Sequence, residues 1–122
     1  MLKGSGSNVT ARLNAAPPGS VYLCSVVLGE LIFGALHGKS QYRALNMASV
    51  AKLRSDFISL SFNDTAAEEY AEIREHLTVR GTLIGPNDMM IASIALANHL
   101  ILVTHNTREF SRVPGLKLEV WQ

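Results

Sequence analysis

The stretch IGPNDMMIASIALANHLILVTHNTREFSRVPGL, residues 84–116, holds a helix, a strand and a turn in direct succession. Pro86 suits the first turn of a helix, where its missing N–H is no loss, and Asn87 and Asp88 are residue types that open helices. From Met89 onward nearly every side chain is apolar, and Asn98 suits the helix end. LILVT, residues 100–104, is then apolar without alternation, as expected of a strand buried on both faces. HNTREF predicts a turn with a short helix, and LKLEV, residues 116–120, a last edge strand. Within residues 84–96 the one charged side chain is Asp88. It stands at the head of a helix that otherwise asks only for burial, so its presence needs a reason.

Toward the N-terminus the same alternation repeats. GSGSN and AAPPGS bracket a short predicted helix, VTARLNA, and the Pro-Pro-Gly group ends it before VYLCS, an apolar run read as a buried strand. Ser25 is placed to cap VVLGELIFGALH, which Gly38 stops. Ser40 is placed to cap a second helix over residues 41–54, with Leu45, Ala48 and intervening polar residues leaving one face exposed. DFISLSF reads as another short strand. Thr65 and Glu68 have capping-box spacing, and Tyr70, Ile73 and Leu77 share one face, so a helix is predicted over residues 65–80, closed by Gly81. Strands alternating with helices, two of them apolar on both faces, predict an α/β fold with a mostly parallel sheet flanked by helices.

Composition sets the bounds. A chain of 122 residues with 48% hydrophobic content is suited to one compact domain and is neither disordered nor fibrous in character. A formal charge of +1 neither announces nor excludes a nucleic-acid partner. The single cysteine, Cys24, can form no internal disulfide and fits a reducing interior such as the cytoplasm. No export signal and no membrane span are expected, because Met1 leads into Lys3 and a Gly/Ser segment rather than an apolar stretch.

The acids carry the functional reading. Glu30 has Val26, Val27, Phe33 and Gly34 as its helical neighbours, and Asp88 has Ile91, Ala92 and Ala95, so neither belongs to a solvated charged face. Thr104 and Asn106 end a strand at the carboxyl edge, where open α/β sheets gather ligands. Oxygen ligands without His or Cys suit a hard ion such as Mg²⁺ or Mn²⁺. Plainer readings stand beside this one. Asp88 is favoured by the helix dipole in any case, and Glu30 fits a structural acid equally. Glu68, Glu69, Glu72 and Glu75 read as a solvated face, His37, His76, His99 and His105 lack metal-ligand spacing, and Met89 and Met90 read as core. Arg108 and Arg112, close to Asn106, are candidate phosphate contacts or ordinary surface arginines.

SVVLGELIFGA, the stretch from residue 84 to residue 116 and the terminal LEVW together resemble the PIN domain of VapC-type toxins from bacterial toxin–antitoxin pairs, over Val21 to Trp121. Position by position, Glu30 matches the family's helix glutamate, Asp88 its third acid and Asn106 a fourth position, with Thr104 lending a hydroxyl. The resemblance implies a Mg²⁺- or Mn²⁺-dependent endoribonuclease that cleaves RNA phosphodiesters with a metal-activated water. It also implies a homodimer, a VapB-type antitoxin as partner and a cytoplasmic location. Catalysis and metal binding then fall to Glu30, Asp88 and Asn106, and RNA contacts to Arg108, Arg112 and Thr104.

The match departs at the start. The family opens with a central strand ending in Asp-Thr-Asn, whose Asp is the first metal ligand, whereas here no Asp or Glu precedes Glu30. The expectation is one PIN-like domain over residues 1–122, N-terminally incomplete, with its first central strand missing and no nuclease activity as written. The alternative of another class is an inactive PIN remnant that only binds an antitoxin or a sister subunit.

Overall fold

The computed structural model describes residues 15–17 and 19–121; the helix predicted over VTARLNA lies outside the described residues apart from Ala15. Strand β1 (Tyr22–Cys24) runs directly into helix α1 (Ser25–His37). A 3₁₀ turn (Ser40–Tyr42) leads into α2 (Arg43–Asp56), followed by β2 (Ile58–Leu60) and α3 (Asp64–Val79). Then come α4 (Pro86–Ala97), β3 (Leu102–Val103), the short α5 (Thr107–Phe110) and β4 (Leu118–Glu119). The predicted alternation and the α/β class are both present.

Both ladders are parallel: β1 sets Tyr22, Leu23 and Cys24 opposite Ile58, Ser59 and Leu60, and β3 sets Leu102 and Val103 opposite Leu118 and Glu119. The expected single central sheet differs. Among the described residues the strands form two separate two-stranded sheets. LILVT is shortened at its start, while at its far end the Thr104 N–H still donates to the Glu119 carbonyl at 3.1 Å. The Leu100 N–H donates back to the Ala95 carbonyl at 2.9 Å, and the Thr104 hydroxyl accepts the N–H of Asn106 at 3.0 Å.

Helix ends correct several sequence expectations. Ser25 is the first residue of α1 rather than its cap, and Ser40 opens the 3₁₀ turn; neither α1 nor α2 has a side-chain cap bond. The α3 cap is Asn63, whose Oδ1 accepts the Ala66 N–H at 3.0 Å, so Thr65 lies inside the helix. At the other end the Thr82 N–H reaches the Leu77 carbonyl and the Gly81 N–H that of Thr78, with Gly81 at φ 66°. This is the left-handed reversal for which glycine is suited. Pro86 occupies the first turn of α4 as expected, and Asn98 closes it with its Nδ2 donating to the Ile94 carbonyl at 2.7 Å.

The residue after Asn98 repeats the Gly81 geometry without a glycine: His99 has φ 55°. An L side chain there is strained by roughly 1–2 kcal/mol. His99→Gly is therefore expected to raise the unfolding free energy by roughly 0.5–1 kcal/mol after the added backbone entropy of glycine is counted. Urea denaturation of the two proteins checks this, and a variant less stable than the parent refutes it.

The core is built around α4, against which α3 packs most extensively. Met89, Ile91, Ala92, Ser93, Ile94 and Ala95 are all buried, so the helix is enclosed on every side, as an apolar helix requires. Ser93 satisfies its hydroxyl by donating to the Met89 carbonyl. Ile73 and Leu77 of α3, Cys24 of β1, Leu102 of β3 and Phe110 of α5 join the same cluster. No helix among the described residues is long and apolar enough to cross a membrane.

Candidate active site

Glu30 and Asp88 reach the site from two helices. α1 begins at the carboxyl end of β1 and carries Glu30 half-buried near its middle. Asp88 is the acidic residue of the first turn of α4, also half-buried, where the partial positive charge of the helix N-terminus favours a carboxylate. Between them stands Asn87, whose Nδ2 donates to Glu30 Oε1 at 3.5 Å. That contact spans 57 positions of sequence and brings the Glu30 carboxylate to the head of α4, beside the turn that carries Asp88. Asn87 was read from the sequence only as a helix opener. No local signal marks it, because its role depends on where α1 lies.

The third position is organised by a turn. Thr104 is buried at the end of β3, and its hydroxyl accepts the Asn106 backbone N–H at 3.0 Å. Asn106 precedes α5 and its Nδ2 donates to Glu109 Oε2 at 3.4 Å. With that amide nitrogen spent on Glu109, Oδ1 is the atom of Asn106 suited to a cation. The sequence offered Thr104 to RNA; in the structure its hydroxyl shapes the turn that presents Asn106. Glu109 was missed altogether. The Asn-x-x-Glu spacing at a helix head was the available signal, since a residue at the third helical position reaches back toward the cap.

The two arginines are placed differently. Arg108 is exposed, whereas Arg112 is half-buried and its Nη1 donates to the Leu83 carbonyl at 3.3 Å.

Among the described residues, no three of His, Cys, Asp and Glu lie close enough together to hold a metal ion by themselves. The donors available are carboxylate and amide oxygens: Glu30 and Asp88 at the head of α4, and Asn106 with Glu109 at α5. The carboxylates at the head of α4 fit a hard ion of the Mg²⁺ class, which binds through one or two carboxylates and keeps several waters. The donor set does not fit a structural zinc site, which is closed by His and Cys ligands.

The family model described as PIN domain matches residues 5–116. The chain belongs to the PIN-domain family. This PIN domain is 40% identical over 120 residues to the tRNA(fMet)-specific endonuclease VapC of Shigella flexneri, covering 98% of this chain and 89% of the relative. It is 36% identical over 102 residues to Ribonuclease VapC2 of Rickettsia felis, covering 84% of this chain and 75% of that one. Among solved structures, it is similar to VapBC2 of Rickettsia felis bound to a DNA fragment from its promoter, with a TM-score of 0.87 at 31% identity over 96% of this chain and 87% of that one. DNA-bound VapBC of Salmonella typhimurium superimposes with a TM-score of 0.86 at 36% identity, over 96% and 86% of the two chains. The fold expected from the PIN resemblance is thus the fold of these neighbours, and the expected family is the observed one.

Proposed function

We propose that this PIN domain, taken as one domain over residues 1–122, is a VapC-type endoribonuclease, the toxin of a toxin–antitoxin pair acting on RNA in the cytoplasm. The observation that carries the reading is the Glu30 carboxylate held through Asn87 at the head of α4, beside Asp88. Metal binding is assigned to Glu30, Asp88 and Asn106, with Mg²⁺ or Mn²⁺ as the ion, and Glu109 is added as the residue that orients Asn106. When bound, the ion supplies Lewis acidity for attack by water on phosphorus. The chain's own residues do the rest. Two carboxylates from separate helices fix where the ion sits, Asn87 sets the rotamer of Glu30, and the Thr104–Asn106 turn sets the third donor. Exposed Arg108 is the candidate contact for the phosphate backbone, which positions RNA without reading its sequence.

RNA cleavage is expected to need added Mg²⁺ or Mn²⁺ and to stop in EDTA; undiminished cutting in EDTA refutes the metal site. Glu30→Gln is expected to weaken apparent Mn²⁺ affinity on the order of 10- to 100-fold, judged by what neighbouring groups contribute at metal sites. An unchanged Mn²⁺ titration returns Glu30 to a structural role. A remnant that only binds partners would capture them without cutting, so the same cleavage assay separates that alternative.

For partners, the reading takes a VapB-type antitoxin and a second copy of the chain. The support is an apolar surface on the α1–α2 pair and the 3₁₀ turn between them: Phe33, Leu36, Tyr42 and Leu45 are at least half exposed, at 62%, 50%, 50% and 67%. Several large apolar side chains on one helix pair mark an interaction surface. Light scattering at micromolar concentration is expected to report a dimer; a monomer alone would leave that surface to the antitoxin.

A further inference from the structure

We propose that Arg112 is a positioning residue that sets the head of α4, and with it Asp88, relative to the turn that carries Asn106; this rests on the metal-dependent nuclease reading above. The sequence suggested a phosphate contact for this side chain, but its geometry is that of a strut. At its base Arg112 is held by the chain on both sides. Its N–H donates to the Glu109 carbonyl at 3.1 Å, and its neighbours in the turn, Phe110 and Val113, are buried. At its tip Nη1 donates to the Leu83 carbonyl at 3.3 Å, across 29 positions of sequence.

Leu83 lies in the segment between two fixed points. On one side α3 ends in the Gly81 reversal; on the other α4 begins at Pro86. Ile84 between them is buried, while Leu83 is half exposed, so packing anchors only part of this segment. The guanidinium bond to Leu83 supplies a further anchor, and it comes from the residues just past α5, the short helix that Asn106 heads and that contains Glu109. One of the five guanidinium donors makes this bond, which fixes the distance between the two segments. Two site segments far apart in sequence are thereby tied by one side chain. A phosphate contact would have to swing that guanidinium off Leu83. Exposed Arg108 meets a phosphate with no such cost.

The two roles separate when Mn²⁺ binding is measured without RNA, because no phosphate is then present. Mn²⁺ titrations by calorimetry would be run on the wild type, Arg112→Gln and Arg112→Lys, followed by steady-state RNA cleavage at several salt concentrations. Arg112→Gln is expected to weaken Mn²⁺ binding on the order of 10- to 100-fold, as for other groups that orient metal ligands. Its kcat should fall with KM little changed and the salt dependence of RNA binding intact. Arg112→Lys, which keeps the charge but not the fork, should show a smaller loss in the same direction. Wild-type Mn²⁺ affinity in both variants, with KM raised and the salt slope reduced by about one, overturns the inference in favour of a phosphate contact. Should Arg112→Gln fail to fold, Arg112→Lys decides alone: weakened Mn²⁺ binding supports the strut, and wild-type binding refutes it. A wild type that takes up no Mn²⁺ overturns the metal-site reading and this inference with it, whereas wild-type uptake with unaffected variants overturns this inference only.

Discussion

Asp88→Asn is expected to lower RNA cleavage by roughly 10²–10⁴-fold while leaving the protein folded, since stabilisation by a bound cation amounts to several kcal/mol of barrier. The substitution keeps the shape and size of the side chain and removes its charge. Its structural cost is the lost attraction to the N-terminus of α4, about 0.3–1 kcal/mol. Relief of repulsion from the Glu30 carboxylate, which Asn87 holds at the same helix head, opposes that cost. Cleavage therefore should collapse with thermal unfolding nearly unmoved. The pair of measurements matters, because a variant that loses activity and stability together says nothing about metal. An Asp88→Asn protein that cuts at the parent rate refutes the assignment.

The second large effect is one of stability. Phe110 is 0% exposed and is among the largest fully buried side chains. Phe110→Ala removes a ring from a packed interior and is expected to cost ~3–5 kcal/mol. Against the ~5–15 kcal/mol that holds a typical domain, that is a substantial share, and it corresponds to a fall in Tm on the order of 15–25 °C. The loss reaches the site as well, because Phe110 is the buried residue of α5, the helix that follows Asn106 and contains Glu109. Chemical denaturation reads the effect directly. A loss below ~1 kcal/mol would mean that the turn carrying Asn106 is anchored elsewhere, through Val113 or the Arg112 bond to Leu83.

What could be read from the sequence follows the range of the interactions involved. The head of α4 was legible because Pro86 and Asp88 act on their own helix, within one turn. The buried character of that helix was legible from composition alone. The cap of α3 was misplaced by two residues, since Asn63 and Thr65 are both capping types and only the bond to Ala66 decides between them. The left-handed His99 was illegible: glycine announces such a conformation, and histidine does not. LILVT looked like a full strand because hydropathy reports burial, not pairing. Its start was already committed to the end of α4. At the site, Glu30 and Asp88 stood out as acids in apolar surroundings. Asn87, Glu109 and the seating of Arg112 did not, because each depends on a side-chain contact that local pattern does not encode.

The enclosure of α4 also divides the site in time. Amides from Ile91 to Ala95 lie in the most deeply buried helix of the described residues and should exchange with solvent only when the whole domain unfolds. α5 is a single turn of four residues, held to that core by Phe110 but with Arg108 exposed, so its outer side opens first. Asp88 thus stands at the head of the helix whose middle moves least, while Asn106 and Glu109 stand on a short turn that exchanges sooner. Substitutions that tighten the short turn would slow its opening and, through the Arg112 bond to Leu83, steady the head of α4 as well. The rate at which the site assembles and comes apart is therefore set where α5 meets the head of α4.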